Sequence, residues 1–373
     1  MKDSNPSSPH SSPHSNLHSS APSAFDSAPL TSPPGHWRLM TAPRPGAVAI
    51  IQLFGDIGGM LARLGIRGAP VGSIVLRDLC GIDTGLVAVL SEHVCQLMPH
   101  GGPEVVRCLI ERLTTAGFDS DTGLDPRLTY PEAPDLLWAH VLETLSRAQS
   151  PLAVDMLLAQ PPAWRRAGWD AASNTLPTTS PMSLTERDVR LHRLIDPPLV
   201  VLWGRPNIGK STLTNALADR PISIVADLPG TTRDHVGVVL ELAGLVVRFA
   251  DTPGMRDDPA DGIEREAAAR ADTLAAFADL VILCGDANSP PPPPPHPADI
   301  SYIHAFDERP LPIRLALRSD LGTAPWPHDL SVSAADGTGI REFALAVRDR
   351  LVPPADLVDQ SPWRFWDWRF WEG

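Results

Sequence analysis

The sequence predicts an α/β protein, with a mostly parallel sheet built around one glycine-bounded loop. A small α+β domain precedes that sheet and a short helical connector joins the two. Three observations predict this. Residues 199–202 form an apolar run ending at Gly204, and residues 204–211 spell G-x-x-x-x-G-K-S before a helix with Leu213, Ala216 and Leu217 on one face. Beyond the loop, strand-like runs at 238–242, 245–250, 280–284 and 313–317 alternate with helical stretches, the pattern of a parallel sheet. Before it, strand-like runs at 47–54, 73–76, 86–90 and 93–98 crowd together ahead of one amphipathic helix.

At 373 residues, with 43% hydrophobic and 20% charged, the chain has room for two or three domains and an ample core. A net charge of −13 argues against a broad polyanion-binding surface, so any nucleic-acid contact requires a local patch or a partner. Cys80, Cys95, Cys108 and Cys284 are widely spaced and form no C-x-x-C, which points to a reducing compartment and no zinc site. No apolar run reaches membrane-spanning length, and the Ser/Pro/His-rich N-terminus lacks the apolar core of a secretory signal. A cytoplasmic protein with no membrane contact is expected.

Residues 1–36 are low-complexity and expected to be disordered, and His10, His14, His18 and His36 read as incidental composition rather than metal ligands. Residues 37–120 carry the α+β domain. Its helix starts at Pro103 with Glu104 favouring the N-terminal dipole, shows a Val106, Leu109, Ile110, Leu113 stripe, and ends at Gly117. His100-Gly101-Gly102 reads as the turn entering that helix, with a ligand-contacting turn as the alternative.

Residues 121–197 are the connector. Leu137, Val141, Leu142 and Leu145 give one helical stripe, and Val154, Met156, Leu157 and Leu158 continue it after Ser150-Pro151. Pro161-Pro162 are expected to end the helix, Met156 and Trp164 to pack in the core or between domains, and residues 173–183 to form a linker before a helix starting within 184–194. Residues 198–353 make the α/β domain, with Pro290–Pro295 as an extended polyproline spacer. The tail, 354–373, holds Trp363, Phe365, Trp366, Trp368, Phe370 and Trp371 too densely to stay in water; docking on the chain's own helices is expected, with a partner or a membrane surface as the alternatives.

The 204–211 loop is the pattern of a phosphate-binding P-loop, whose glycines turn backbone N–H groups inward at a helix N-terminus. Lys2 and Lys210 are the only lysines; elsewhere the cations are arginines, so the loop keeps the compact ammonium that suits a crowded phosphate cradle. Lys210 is expected to neutralise β- and γ-phosphate oxygens, and Asn207, Ile208, Gly209, Ser211 and Thr212 to surround the nucleotide. Ser211 would hold Mg²⁺, Thr232 of Gly230-Thr231-Thr232-Arg233-Asp234 would complete its shell, and Asp251 would reach it, usually through water. Gly254 of Asp251-Thr252-Pro253-Gly254 would bring a backbone N–H to the γ-phosphate. The order GRPNIGKST, GTTRD, DTPG reads as a GTPase rather than a kinase or generic ATPase.

These three motifs resemble the TrmE/Era/Der group of TRAFAC GTPases, and HGGPEVVRCLIERL with TAPRPGAVAIIQLFG resembles the N-terminal domain of the MnmE (TrmE) tRNA-modification GTPases. The resemblance is strong over 198–275, moderate over 41–118 and thin elsewhere. It implies a Ras-like G domain, a folate-binding and dimerising N-terminal domain, and an MnmG-like flavoprotein partner in modifying the wobble uridine of certain tRNAs. Asn207 is similar to a P-loop Asn that helps bind an activating K⁺, with 226–230 supplying backbone carbonyls, and Glu264 stands where the family has its water-orienting Glu. The guanine-reading N-K-x-D appears as Leu317-Arg318-Ser319-Asp320: Asp320 can still accept from guanine, Arg318 can stack, and the Asn contact is lost. Ser333-Ala334-Ala335 fits the next base-contacting loop. The family's C-terminal Cys-x-Gly-Lys motif and the Arg-Gly-rich turn near folate are not matched, which leaves a GTP-gated interaction switch without tRNA-modification activity as the alternative to GTP hydrolysis coupled to tRNA modification.

Overall fold

The structure, a computed structural model, describes residues 35–41, 45–120, 126–173, 185–218, 237–252, 271–294 and 310–366. The chain divides into two compact units, Met1–Leu124 and Asp125–Gly373.

In the first unit β1 (His36–Leu39), β2 (Ile51–Phe54), β3 (Ser73–Leu79), β4 (Asp83–Val89), β5 (Val94–Met98) and β6 (Asp119–Ser120) form one sheet in the order β3-β4-β5-β2-β1-β6. All pairs are antiparallel except β1 with β6. The helices α1 (Ile57–Leu64) and α2 (Pro103–Thr115) contribute Ile57, Leu61, Leu109 and Leu113 to a core with Ile51, Leu53, Leu97 and Phe118. Asp56 caps α1 by accepting from the Gly59 N–H at 3.2 Å; neither β1 nor α1 is expected from the sequence pattern. Gly117 (φ 80°) ends α2 as expected: its N–H donates to Thr114 and that of Phe118 to Leu113, the paired bonds of a Schellman cap. The strand expected from residue 47 begins only at Ile51. Before it Gly46 and Gly101 cross so closely that a Cβ on Gly101 would lie 2.5 Å from the Gly46 carbonyl, and Val48 keeps a single bridge to His100.

The second unit opens with α3 (Pro126–Thr129), α4 (Leu136–Arg147), α5 (Pro151–Leu158), α6 (Gln160–Arg166) and α7 (Glu186–His192). α5 ends at Leu158, just before Pro161-Pro162 as expected, but the same prolines also open α6, because proline costs nothing in a first turn whose N–H groups lack partners anyway. On α5 Ala153 and Leu157 are buried, with Met156 packed beside them; Val154 and Leu158 face out, so the expected stripe is narrower.

The strands β7 (Leu199–Gly204), β8 (Gly237–Leu242), β9 (Leu245–Asp251), β10 (Leu280–Gly285), β11 (Ile313–Leu317) and β12 (Leu330–Val332) form the second sheet, in the order β12-β11-β10-β7-β9-β8. Every neighbouring pair is parallel except β8 with β9, which turn through Ala243 and Gly244 at positive φ. The helices α8 (Lys210–Ala218) and α9 (Ile340–Leu351) cover it, Leu213 and Phe343 meeting Leu202, Phe249 and Leu315 in the core. After α10 (Pro354–Val358) the chain returns to the connector, where Trp363, Phe365 and Trp366 are buried, as expected of the aromatic tail. Trp368, Phe370 and Trp371 lie outside the described residues. Among the described residues no helix is long and apolar enough to cross a membrane.

Candidate nucleotide site

The site lies at the C-terminal edge of the parallel sheet, where β7 gives way to the loop and α8. Gly204 is glycine because there is no room for more: a Cβ there would stand 2.7 Å from both the Cys284 carbonyl and the Ile208 side chain. Asn207 (φ 61°) and Gly209 (φ 105°) take the left-handed conformations that curl the loop, a conformation asparagine tolerates better than most residues. The Gly209 carbonyl accepts from Leu213 N–H at 3.0 Å and joins the loop to α8; the first N–H groups of a helix lack helical partners and suit an anion.

Lys210 is buried. Its Nζ donates to the carbonyls of Gly204 (3.1 Å) and Arg205 (2.9 Å), so the ammonium is held inside the loop that it closes. Burial pushes its pKa below the usual lysine value, opposed by the nearby Asp251 carboxylate. Behind the loop, burial lifts the Cys284 thiol to about 12, so it stays neutral beside Lys210. The Ser211 hydroxyl donates to Asp251 Oδ2, and Asp251 Oδ1 is buried with no hydrogen-bond partner among the described residues. Thr252 fixes the end of β9 by donating to the Leu202 carbonyl at 2.6 Å. A hydroxyl and a carboxylate meeting at the loop, with one carboxylate oxygen left over, are the hard oxygen donors that suit Mg²⁺.

The segments expected to read a base lie at the ends of β11 and β12, tied by Ser319 N–H donating to the Val332 carbonyl at 3.2 Å. Leu317 is a core residue, 3% exposed, and presents nothing polar. Arg318 (φ 56°) turns its side chain over the P-loop, where a Cβ on Gly209 would stand 3.4 Å from Arg318 Nε. Asp286, at the end of β10, lies 3.9 Å from the Arg318 guanidinium; nothing in the residue pattern had singled it out. Asp320 is exposed, and Ser333 is fully buried, accepting from the Gly337 N–H at 3.0 Å through its carbonyl to hold the turn that begins at the half-buried Ala334. Thr232, Gly254 and Glu264, like residues 226–230, lie outside the described residues.

This fold and loop define a P-loop domain of the GTPase class. A family model described as 50S ribosome-binding GTPase matches residues 199–313. The tRNA modification GTPase MnmE of Acidiphilium cryptum is 32% identical over 349 residues, covering 83% of this chain and 77% of that protein. MnmE of Methylococcus capsulatus is 30% identical over 334 residues, covering 77% and 73%. A structure of Era from Aquifex aeolicus bound to GDP·AlF4⁻ is similar over 41% of this chain and 56% of that one, at 23% identity and a TM-score of 0.30. The chain belongs to the MnmE family of tRNA modification GTPases.

Proposed function

We propose that this protein binds GTP in the loop of residues 204–211 and hydrolyses it to GDP and phosphate in the cytoplasm, in the service of tRNA wobble-uridine modification. The observation that carries the reading is Lys210, a buried ammonium parked on two loop carbonyls in a chain of this family. Phosphate oxygens are stronger acceptors than those carbonyls and would draw the ammonium onto the β- and γ-phosphates. Ser211 and Asp251, with Thr232, would hold Mg²⁺, which supplies neutralisation of the phosphate charge. Glu264 would orient a water for in-line attack on the γ-phosphorus, the bond to the β-phosphate oxygen breaking as GDP leaves. Asn207 would contribute to a K⁺ site that offsets the charge developing on the phosphates. Asp320 would accept from the guanine N–H groups while Arg318 covers the ring and the Ser333-Ala334 turn borders it.

The family resemblance extends the reading to a homodimer through the N-terminal domain and an MnmG-like flavoprotein partner. In favour of the dimer, Ile74, Leu76 and Leu86 share one face of the outer hairpin β3–β4 and are 64%, 62% and 41% exposed. The deciding experiment is steady-state GTP turnover in KCl and in NaCl at equal ionic strength, with ATP as competitor. Turnover that is faster in K⁺ and insensitive to ATP is expected. No turnover in either salt would overturn the hydrolase reading, and equal turnover in both would remove K⁺ from it. Restoration of the wobble modification in cells lacking their own MnmE tests the tRNA step separately.

A further inference from the structure

The last described residues do not merely cover the connector; they lie in a groove that reads them. Trp363, Phe365 and Trp366 are 1%, 0% and 7% exposed. Trp366 meets Trp164 of α6 (ring centroids 5.3 Å apart) and His140 of α4 (6.3 Å). Trp363 stands edge-on to His192 of α7 at 5.7 Å, and Phe365 packs at 5.7 and 5.0 Å between its two aromatic neighbours.

The main chain is bonded as closely as the rings are packed. The Trp363 N–H donates to Gln160 Oε1 at 3.0 Å, the Arg364 N–H donates to Asp188 Oδ1 at 2.9 Å, and the Arg364 carbonyl accepts from His192 Nε2 at 2.9 Å. Gln160, Asp188 and His192 are themselves buried, so each would be costly to leave unmatched. Buried polar side chains aimed at backbone groups, with pockets for the side chains between, are how a groove takes an extended peptide.

Residues 363–366 read W-R-F-W and are followed by Asp367; residues 368–371 read W-R-F-W again and are followed by Glu372. Gln160, Asp188 and His192 bond to the main chain of this segment, and Trp164, His140 and His192 meet its aromatic rings; the second tetrapeptide repeats both features. We propose that the groove of α4, α6 and α7 is a binding site for an extended W-R-F-W peptide. Residues 363–366 are its occupant, and residues 368–371 are a second ligand for the same site, reached when the tail shifts so that Trp368 takes the place of Trp363.

The shift lengthens the tether after α10 from residues 359–362 to residues 359–367, and closure entropy rises only with the logarithm of length. It also brings Asp367 to the position of Pro362, beside Arg187, a guanidinium that already pairs with Asp359 at 3.2 Å. The observed register keeps the bonds from Arg187 to the carbonyls of Asp359 (2.7 Å) and Ser361 (3.3 Å), so it is the preferred one and the second repeat is the reserve. One groove holds one tetrapeptide at a time.

The test is thermal unfolding of three full-length variants. One replaces the first repeat (Trp363→Ala, Phe365→Ala, Trp366→Ala), one the second (Trp368→Ala, Phe370→Ala, Trp371→Ala), and one both. The second-repeat variant is expected to melt with the wild type, the first-repeat variant a few degrees lower, and the combined variant at least about 10 °C lower. A peptide of sequence SPWRFWD should raise the melting temperature of the combined variant where a scrambled peptide does not. The proposal is overturned if the first-repeat variant is as unstable as the combined one, or fails to fold, because no reserve ligand then exists. It is equally overturned if the combined variant melts with the wild type, or if the peptide has no effect.

Discussion

The hydroxyl of Ser211, in the first turn of α8, donates to the carboxylate of Asp251 at the end of β9, and so links the P-loop to the strand that precedes the D-T-P-G segment. The second oxygen of Asp251 is buried and has no hydrogen-bond partner among the described residues. In the proposed function this pair would hold Mg²⁺. Asp251→Asn keeps the shape and an acceptor for Ser211 but removes the charge. The Mg²⁺ concentration for half-maximal GTP turnover should rise about tenfold or more, with little change in melting temperature. A Mg²⁺ titration with thermal unfolding of the same sample checks both.

Lys210 should be irreplaceable in turnover but not in folding. Lys210→Ala is expected to lower kcat by roughly two to three orders of magnitude, the scale for losing a preorganised charge at a reacting phosphate. Lys210→Arg should not restore it, since a planar guanidinium cannot sit between the Gly204 and Arg205 carbonyls that hold the ammonium. Turnover within threefold of wild type in either variant would contradict this.

Asn207 has a conformational role that can be separated from a proposed ionic one. Its φ of 61° is open to glycine and strained for alanine, so Asn207→Ala should lose about 1 kcal/mol in chemical denaturation while Asn207→Gly stays near wild type. Both remove the side-chain oxygen, and both should lose the stimulation of turnover by K⁺ over Na⁺. A glycine variant that keeps it would take the ion away from Asn207.

His192 should make the connector sensitive to mild acid. Burial depresses its pKa, outweighing the Arg364 carbonyl and the charges of Asp196 and Asp188 that raise it; Arg147 adds to the depression. The folded pKa lies below the unfolded value of about 6.5, so between the two the unfolded chain binds a proton that the folded chain does not. This contribution is complete above that value and is lost as the pH falls below it, at up to about 1.4 kcal/mol per pH unit. His192→Gln keeps a donor for the Arg364 carbonyl and should flatten the fall in melting temperature between pH 7.5 and 5.5; an unchanged slope would assign it to other groups.

Much of the architecture was legible because its signals are local. The apolar run 199–202, the loop glycines and the helix after them are strand, turn and helix for reasons contained in a dozen neighbouring residues, and the Gly117 cap depends on little beyond its own helix. Pro161-Pro162 follow the end of α5 as expected but hide the start of α6, because a proline that stops one helix can open the next. The segments 219–236 and 253–270, which hold Thr232, Gly254 and Glu264, lie outside the described residues; the roles of Thr232 and Gly254 rest on the order of the motifs, and that of Glu264 on the resemblance.

The sequence by itself determined the class of this protein, because a P-loop is short-range chemistry: spacing, two glycines, one lysine and one hydroxyl within a single turn of chain. Only the tertiary structure decided what meets across long separations. It laid Asp251 on Ser211, turned Leu317 into the core and Arg318 over Gly209, and opened a groove for Trp363 and its neighbours among helices lying far back along the chain. Those contacts depend on strand order and helix packing, which side-chain periodicity constrains but does not specify.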